Sequence, residues 1–287
     1  MKNVIAFFKF SYIISSLIIF IGLFGLLNVF GFNKEISIFS SKVKNIFIER
    51  TLKVLGVDIF YRGLSHQNRA SVYVGNHLSY IDVLVLQMLC PVTFVTSREI
   101  EKTPLLGKIC KNAGCLFVDR KSIWNLRSEV ISIAEKLMGG ESVAIFPEGT
   151  TTDGQLMLPF RTSLLQAAKI TGAPIVPVAI KYSYIDGERF GAKNKDSVCW
   201  YAEMGFAKHL FNLCKRRYIK VEVDFFSSIT IGETTSRKDA TDYVVECIEK
   251  KLCLSTSNSI DDYKKYFGDR MVFPGSLTVN KFNCKQV

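Results

Sequence analysis

Hydrophobic positions in this chain fall into one long uncharged run near the N-terminus and many short runs after it. The long run, residues 10–33, contains no charged side chain. As an α-helix it would reach roughly 36 Å, enough to cross a hydrocarbon core of about 30 Å. Three glycines within it, Gly22, Gly25 and Gly31, leave open a re-entrant hairpin that does not span. The pattern predicts membrane attachment through a hydrophobic helix or a helical hairpin.

Short apolar runs in the rest of the chain predict buried strands, and apolar residues at helical spacing predict helices between them. Strands are expected at residues 71–76, 92–97, 115–120, 142–149 and 175–182, with a late strand pair within 219–231. Helices are expected at residues 41–55, 79–90, 104–113, 124–138, 160–172 and 239–252. This alternation predicts an α/β fold with a mixed, largely parallel central sheet flanked by helices.

The composition supports membrane association and indicates an anionic partner. Of the 287 residues 48% are hydrophobic, and the mean hydropathy of +0.19 is high for a protein that lies wholly in water. The net charge of +11 favours a polyanionic partner, unless it is only a solvated basic surface. No basic motif interleaved with aromatic residues accompanies the charge, so we expect an anionic membrane surface and no nucleic acid.

The eight cysteines restrict the chemistry further. None stands in a CxxC pair, and most lie in apolar segments, where a free thiol behaves as a small hydrophobe. This pattern is typical of neither a disulfide framework nor a zinc site. We therefore expect no metal, and a domain that faces a reducing compartment.

Candidate chemistry begins at residues 75–85, GNHLSYIDVLV, which contain one of only three histidines. In the simpler interpretation Ser79 caps a helix and Asp82 lies in its first turn, where the helix dipole favours a carboxylate. In the functional interpretation Asp82 folds back and holds one ring nitrogen of His77. The other nitrogen could then remove a proton from a hydroxyl.

Three further motifs follow, each at a predicted strand. GCLFVDR, residues 114–120, could be a buried strand that ends in a solvated arginine, and IVPV, residues 175–178, could be plain core. FPEGT, residues 146–150, ends a strand, the position where α/β sheets assemble their sites. Its glycine could present backbone N–H groups to an anion, although Glu148 is unexpected at such a site.

In this order, NHLSYID, GCLFVDR, FPEGT and IVPVAI resemble the four sequence blocks of the 1-acyl-sn-glycerol-3-phosphate acyltransferase family, the lysophosphatidic acid acyltransferases of glycerolipid synthesis. The resemblance covers about residues 45–230, and the hydrophobic N-terminal segment fits it as well. It implies transfer of a fatty acyl group from a thioester of coenzyme A or acyl carrier protein to the free hydroxyl of a lysophospholipid. The implied acceptor is 1-acyl-glycerol-3-phosphate, the product is phosphatidic acid, and no cofactor is bound.

The resemblance also implies a role for individual residues. His77 would be the general base and Asp82 its orienting partner. The acceptor site would be formed by Gly114, Phe117, Arg120, Glu148, Gly149 and Thr150, with Arg120 on the phosphate. Pro177 would line the wall near the acyl donor. Thr151 stands where many members carry an arginine, and Arg161 is the candidate replacement.

Three parts of the chain are therefore expected. Residues 1–35 would anchor the protein in the inner or endoplasmic membrane, and residues 36–254 would form the acyltransferase domain on the cytoplasmic side. Residues 255–287 would be a polar, irregular tail without an assigned function.

Alternatives remain for the activity. The same chemistry could act on a lyso-ornithine lipid or a lysophosphatidylcholine-type acceptor. A serine lipid hydrolase would need a nucleophile elbow, and GESVA, residues 140–144, only approximates that motif. A lipid-binding protein without activity would not need both His77 and Asp82.

Overall fold

The computed structural model describes residues 2–29, 34–64, 69–119, 124–257 and 259–267. Eight strands form one sheet in the order β1-β8-β6-β2-β5-β3-β4, with β7 beside β6. The strands are β1 Val57–Arg62, β2 Val72–Gly75, β3 Val92–Ser97, β4 Leu116–Val118, β5 Ser142–Ile145, β6 Ile175–Ile185, β7 Glu188–Arg189 and β8 Ile219–Phe225. The pairs β1–β8, β2–β5, β2–β6, β3–β4 and β3–β5 are parallel. Only β7 and β8 run antiparallel to β6 among the described pairs, so the predicted mixed, largely parallel sheet is confirmed.

Ten α-helices accompany the sheet in the described part of the chain. They are α1 Lys2–Val29, α2 Lys34–Leu55, α3 Tyr80–Leu89, α4 Arg98–Glu101, α5 Leu106–Asn112, α6 Leu126–Met138, α7 Gln166–Thr171, α8 Phe206–Cys214, α9 Arg237–Leu252 and α10 Ile260–Phe267. Short 3-10 turns cover Ser163–Leu165 and Lys195–Ser197. The β–α–β alternation along the chain is what makes neighbouring strands parallel.

Two hydrophobic layers, one on each face of the sheet, follow from the alternation of side chains along each strand. In β2, Tyr73 faces the layer that contains α1, α2, α3 and α8, whereas Val72 and Val74 face the layer of α6, α7 and α9. In β5, Ala144 and Val143 divide in the same way. Both faces of the sheet are therefore covered and shielded from water, as a largely parallel sheet requires.

The N-terminal segment is one continuous helix that passes through Gly22 and Gly25 without a break. Its length and apolar composition are sufficient to cross a membrane. One face of α1 packs on the domain, with Ile13 and Phe20 buried, while the opposite face exposes apolar side chains such as Ile19. The helix is thus attached along the domain.

The described residues up to Phe267 differ from the irregular tail expected over residues 255–287, of which 268–287 lie outside the described residues. After α9 the chain turns at Cys253, whose φ of 54° is left-handed, and the amide of Ser257 then donates to the carbonyl of Met157 at 2.8 Å. Helix α10 follows, and its Tyr266 is completely buried. The polar composition of residues 255–262 concealed a short helix whose last two residues, Tyr266 and Phe267, are buried.

Other differences concern single elements. The late strand pair expected within 219–231 is a single strand, β8, followed by an isolated bridge from Ile229 to Ile175. Strand β1 and helix α8 were not predicted. Strand β1 lies at the edge of the sheet with a mostly exposed face, so the apolar content that reveals central strands is weaker there.

Candidate active site

The site lies at the carboxyl ends of parallel strands β2, β3 and β5, the edge where such sheets bind ligands. The loops that follow these strands enclose a cavity of about 220 Å³. Its wall includes His77, Tyr80, Thr96, Thr150, Thr151, Arg161, Trp200, Tyr266 and Phe267. Three residues predicted from sequence, His77, Thr150 and Arg161, are therefore brought together.

His77 and Asp82 form the predicted pair. His77 Nδ1 lies 2.9 Å from Asp82 Oδ2, with the histidine side chain 18% exposed and the aspartate side chain fully buried. The imidazole ring also stacks on Phe146, with ring centroids 4.1 Å apart and an interplanar angle of 5°. These two contacts fix the ring orientation and leave Nε2 as the nitrogen that can take a proton.

Asp82 is held by four donors. Besides His77, the amides of Leu78 and Ser79 donate to Oδ2 at 2.7 and 2.8 Å. The hydroxyl of Tyr182 donates to Oδ1 at 2.5 Å. Burial, followed by the charge of Asp82, raises the pKa of Tyr182 well above its ordinary value, so this hydroxyl remains a donor. Hydrogen bonds from the protein thus take the place of water around this buried carboxylate.

Asp82 makes both of the contacts considered for it, the helix cap and the contact with the His77 ring. Ser79 is the N-cap of α3 and forms a capping box with Asp82, whose carboxylate accepts from the Ser79 amide. The cap starts the helix immediately after His77 and turns the carboxylate back toward the imidazole. The capping box that begins α3 therefore also brings Asp82 into contact with His77.

The chain enters the site through Gly75 and Asn76. A Cβ on Gly75 would lie 2.9 Å from the carbonyl oxygen of Val178, so only glycine fits this close approach to β6. The buried side chain of Asn76 donates from Nδ2 to the carbonyl of Ile180 and accepts at Oδ1 from its amide, both at 2.9 Å. This amide side chain continues the β2–β6 ladder and fixes the backbone just before His77.

Glu148 is buried beneath the site. Its Oε1 accepts from the amide of His77 at 2.8 Å, and its Oε2 accepts from the amide of Leu158 at 2.9 Å. Burial raises the pKa of Glu148 to about 8, although these two amides favour the carboxylate. Its carboxyl group therefore contacts the backbone of the His77 loop and is not on the cavity wall.

The FPEGT turn reaches the cavity at Thr150. Gly149 has a φ of +78°, a left-handed conformation that side chains strain to adopt. Thr150 lies on the cavity wall, and the hydroxyl of Thr151 donates to the carbonyl of Trp200. The amide of Thr152 donates to the carbonyl of His77 at 2.9 Å. The third block and the residues directly after it are therefore hydrogen-bonded to the His77 backbone, through Glu148 and Thr152.

Arg161 supplies a cation to the cavity. Its amide donates to the carbonyl of Pro147 at 3.0 Å, which places the residue beside the same turn. Its guanidinium lies 5.5 Å from the ring centroid of Phe267. Among the described residues on the wall, Arg161 is the one lysine or arginine.

Other predicted residues lie outside the cavity wall. Gly114 follows α5 with a φ of +80°, and Phe117 pairs in β4 with Thr96, which does line the cavity. Pro177 pairs with Val74 inside the sheet, and its carbonyl accepts from the amide of Phe226 at 3.0 Å. Arg120 lies outside the described residues.

Sequence reasoning missed Tyr182, Tyr266 and Phe267. Tyr182 lies 100 residues from Asp82, and no spacing links the two. Tyr266 and Phe267 stand at the end of a polar segment. The signal in the sequence for a helix there was the helical spacing of these two residues from Ile260.

Comparison with known proteins agrees with this geometry. Residues 58–181 match the family model described as Acyltransferase. A 1-acyl-sn-glycerol-3-phosphate acyltransferase of Neisseria gonorrhoeae is 29% identical over 194 residues, 68% of this chain and 73% of that protein. A lyso-ornithine lipid O-acyltransferase of Rhodobacter capsulatus is 30% identical over 193 residues, 65% of this chain and 67% of that protein.

A solved structure shares the fold. The 1-acyl-sn-glycerophosphate (LPA) acyltransferase PlsC of Thermotoga maritima superposes with a TM-score of 0.63 at 21% identity, over 88% of this chain and 96% of that chain. Its match extends well beyond the residues covered by the family model. The family model and the sequence relatives agree, and the chain belongs to the acyltransferase family that these lysolipid O-acyltransferases share.

Proposed function

We propose that this enzyme transfers a fatty acyl group from an acyl thioester to the free hydroxyl of 1-acyl-glycerol-3-phosphate, giving phosphatidic acid. The observation that carries the proposal is the 2.9 Å contact between His77 and the buried Asp82, with His77 on the wall of a cavity that also contains Arg161. A base beside a cation suits an acceptor that combines a hydroxyl with a phosphate.

In the reaction, His77 Nε2 takes the proton of the acceptor hydroxyl as its oxygen attacks the thioester carbonyl carbon. The tetrahedral intermediate then collapses, the carbon–sulfur bond breaks, and the imidazolium returns its proton to the departing thiolate. Asp82 stabilises the imidazolium between these two steps. The acyl group passes directly to the acceptor, so no acyl-enzyme forms.

The acceptor phosphate would lie against the FPEGT turn. Thr150 offers a hydroxyl on the cavity wall, and Arg161, which lies beside Gly149, offers charge-assisted hydrogen bonds. Arg120 is proposed as a second phosphate contact, with Gly114 and Phe117 shaping the same end of the site. The acyl donor is proposed to be a thioester of coenzyme A or acyl carrier protein. Pro177, predicted to line the wall near this donor, lies inside the sheet beside Val74 and is not on the wall of this cavity.

Glu148 is proposed to act as a positioning residue for His77. Both of its carboxyl oxygens accept from backbone amides, one of them the amide of His77 itself. Replacing either acceptor by an N–H group would leave a buried donor facing another donor, which costs free energy and moves the loop.

Membrane attachment is proposed through the exposed apolar face of α1, with the domain on the cytoplasmic side. Side chains such as Phe8 and Ile19 are more than half exposed on this face. A lipid acceptor and a lipid product both reside at that surface, and the positive net charge favours an anionic one.

A lyso-ornithine lipid is the second candidate acceptor, because relatives such as the Rhodobacter capsulatus protein are named for it. An assay in isolated membranes separates the two, with labelled acyl-coenzyme A and acyl carrier protein thioester as donors. Lysophosphatidic acid, lyso-ornithine lipid and lysophosphatidylcholine would be offered side by side. We expect diacyl product from lysophosphatidic acid, whereas product from another acceptor alone would overturn the substrate. Membranes that lack the protein are the control.

Substitution of the two arginines tests the phosphate site. In Arg161→Gln, the KM for lysophosphatidic acid should rise about 10- to 100-fold through the loss of a hydrogen bond to a charged group. The same experiment on Arg120→Gln measures the second proposed contact. The exposed Arg189 on β7 provides the control variant Arg189→Gln, which should leave the KM unchanged. An unchanged KM in both test variants would place the phosphate elsewhere.

Glu148→Gln tests the positioning role. We expect kcat to fall about 10- to 100-fold because a small displacement of a catalytic group is enough for a loss of that size. The acceptor KM should change little. Glu188→Gln, at an exposed position on β7, should behave as wild type. A Glu148→Gln enzyme with normal kcat would show that His77 does not depend on this carboxyl group.

A further inference from the structure

Helix α10 reaches the active site although it lies beyond the residues that resemble the family. Its last two residues, Tyr266 and Phe267, lie on the wall of the cavity that contains His77. Both are buried, and Tyr266 also packs edge-on against Tyr201, with ring centroids 5.8 Å apart. Part of the substrate cavity is therefore formed by the C-terminal segment.

A buried carboxylate fastens this helix to the catalytic loop. Asp153 is fully buried, and its Oδ2 accepts from Lys195 Nζ at 2.5 Å and from Lys265 Nζ at 2.8 Å. Its Oδ1 accepts from the hydroxyl of Tyr266 at 2.7 Å. Burial alone would raise the pKa of Asp153, but these donors outweigh it and hold the pKa well below the ordinary value. The carboxylate is thus charged and shared between the loop and α10.

Asp153 belongs to the same loop as the FPEGT turn. One residue before it, the amide of Thr152 donates to the carbonyl of His77. The attachment of α10 and the placement of the catalytic histidine therefore depend on one short stretch of backbone. Two lysines, Lys195 and, in α10, Lys265, donate to the one carboxylate of Asp153.

Phe267 places this helix directly against the phosphate site proposed above. The guanidinium of Arg161 lies over its ring, 5.5 Å from the centroid. A Cβ on Gly149 would lie 3.7 Å from Arg161 Nε and 3.8 Å from the Phe267 ring, so both side chains pack over the same turn. A guanidinium attracted to an aromatic face loses freedom without losing its N–H donors at the edges.

We propose that α10 is a wall of the acceptor site, and that Phe267 is a positioning residue that holds Arg161 over Gly149 for an anionic head group. The Asp153 network keeps the helix in this place. This inference rests on the proposed function, since both place the acceptor head group beside Arg161 and the FPEGT turn. It adds a selectivity element from outside the four sequence blocks.

The test compares Phe267→Leu with Phe267→Tyr. Leucine keeps the apolar volume but removes the aromatic face, so the KM for lysophosphatidic acid should rise about two- to tenfold. The KM for acyl-coenzyme A and kcat should stay within twofold of wild type. Tyrosine keeps the aromatic face and should restore the acceptor KM. Equal acceptor KM values for the leucine variant and wild type would overturn the inference.

Asp153→Asn gives an independent test of the anchor. The acceptor KM should rise at least as much as in Phe267→Leu, whereas Asp242→Asn, at an exposed position on α9, should have no effect. A rise in the acyl-coenzyme A KM or a fall in kcat without a change in the acceptor KM would contradict the assignment. Thermal unfolding midpoints check that each variant is folded.

Failure of the two proposals can be told apart. If the wild-type enzyme acylates lysophosphatidic acid and the Phe267 series shows no contrast, only the role of α10 fails. If the wild-type enzyme rejects lysophosphatidic acid, the proposed function fails. The series is then measured with the accepted lipid, and the same leucine–tyrosine contrast decides the role of α10.

Discussion

A buried carboxylate with four donors is the constraint on which this site depends. Asp82 has no contact with solvent, so its charge is tolerable only because His77, two backbone amides and Tyr182 all donate to it. Those donors come from the start of α3 and from β6 in the middle of the sheet. Any shift of the helix relative to the sheet would leave a buried charge without a donor. The fold thereby fixes the histidine within a small range of positions.

A second set of bonds fixes the backbone of the histidine loop. Asn76 extends the β2–β6 ladder, Glu148 accepts from the His77 amide, and Thr152 donates to the His77 carbonyl. These hydrogen bonds hold the first and third sequence blocks together, although about seventy residues separate them along the chain. Asp153 extends this set of hydrogen bonds to α10, so that the C-terminal helix, the FPEGT turn and His77 are held together.

Much of this arrangement could be predicted from the sequence. The sheet class followed from short apolar runs between helical patterns, and the His77–Asp82 contact followed from a capping pattern that also placed the carboxylate near the ring. Contacts between distant parts of the chain could not be predicted. Tyr182 reaches Asp82 across the sheet, and Glu148 turns inward because two amides need an acceptor there. The role expected for Glu148 in substrate binding is accordingly recast as a positioning role.

The turnover of His77→Ala is the measurement that tests the account most directly. Acyl transfer to lysophosphatidic acid would be measured at saturating acceptor and donor, with the thermal unfolding midpoint as a check on the fold. Loss of the general base should reduce kcat by about 10² to 10⁴ while the midpoint stays close to that of the wild type. A folded His77→Ala enzyme with near-normal kcat would contradict the assignment of His77 as the base.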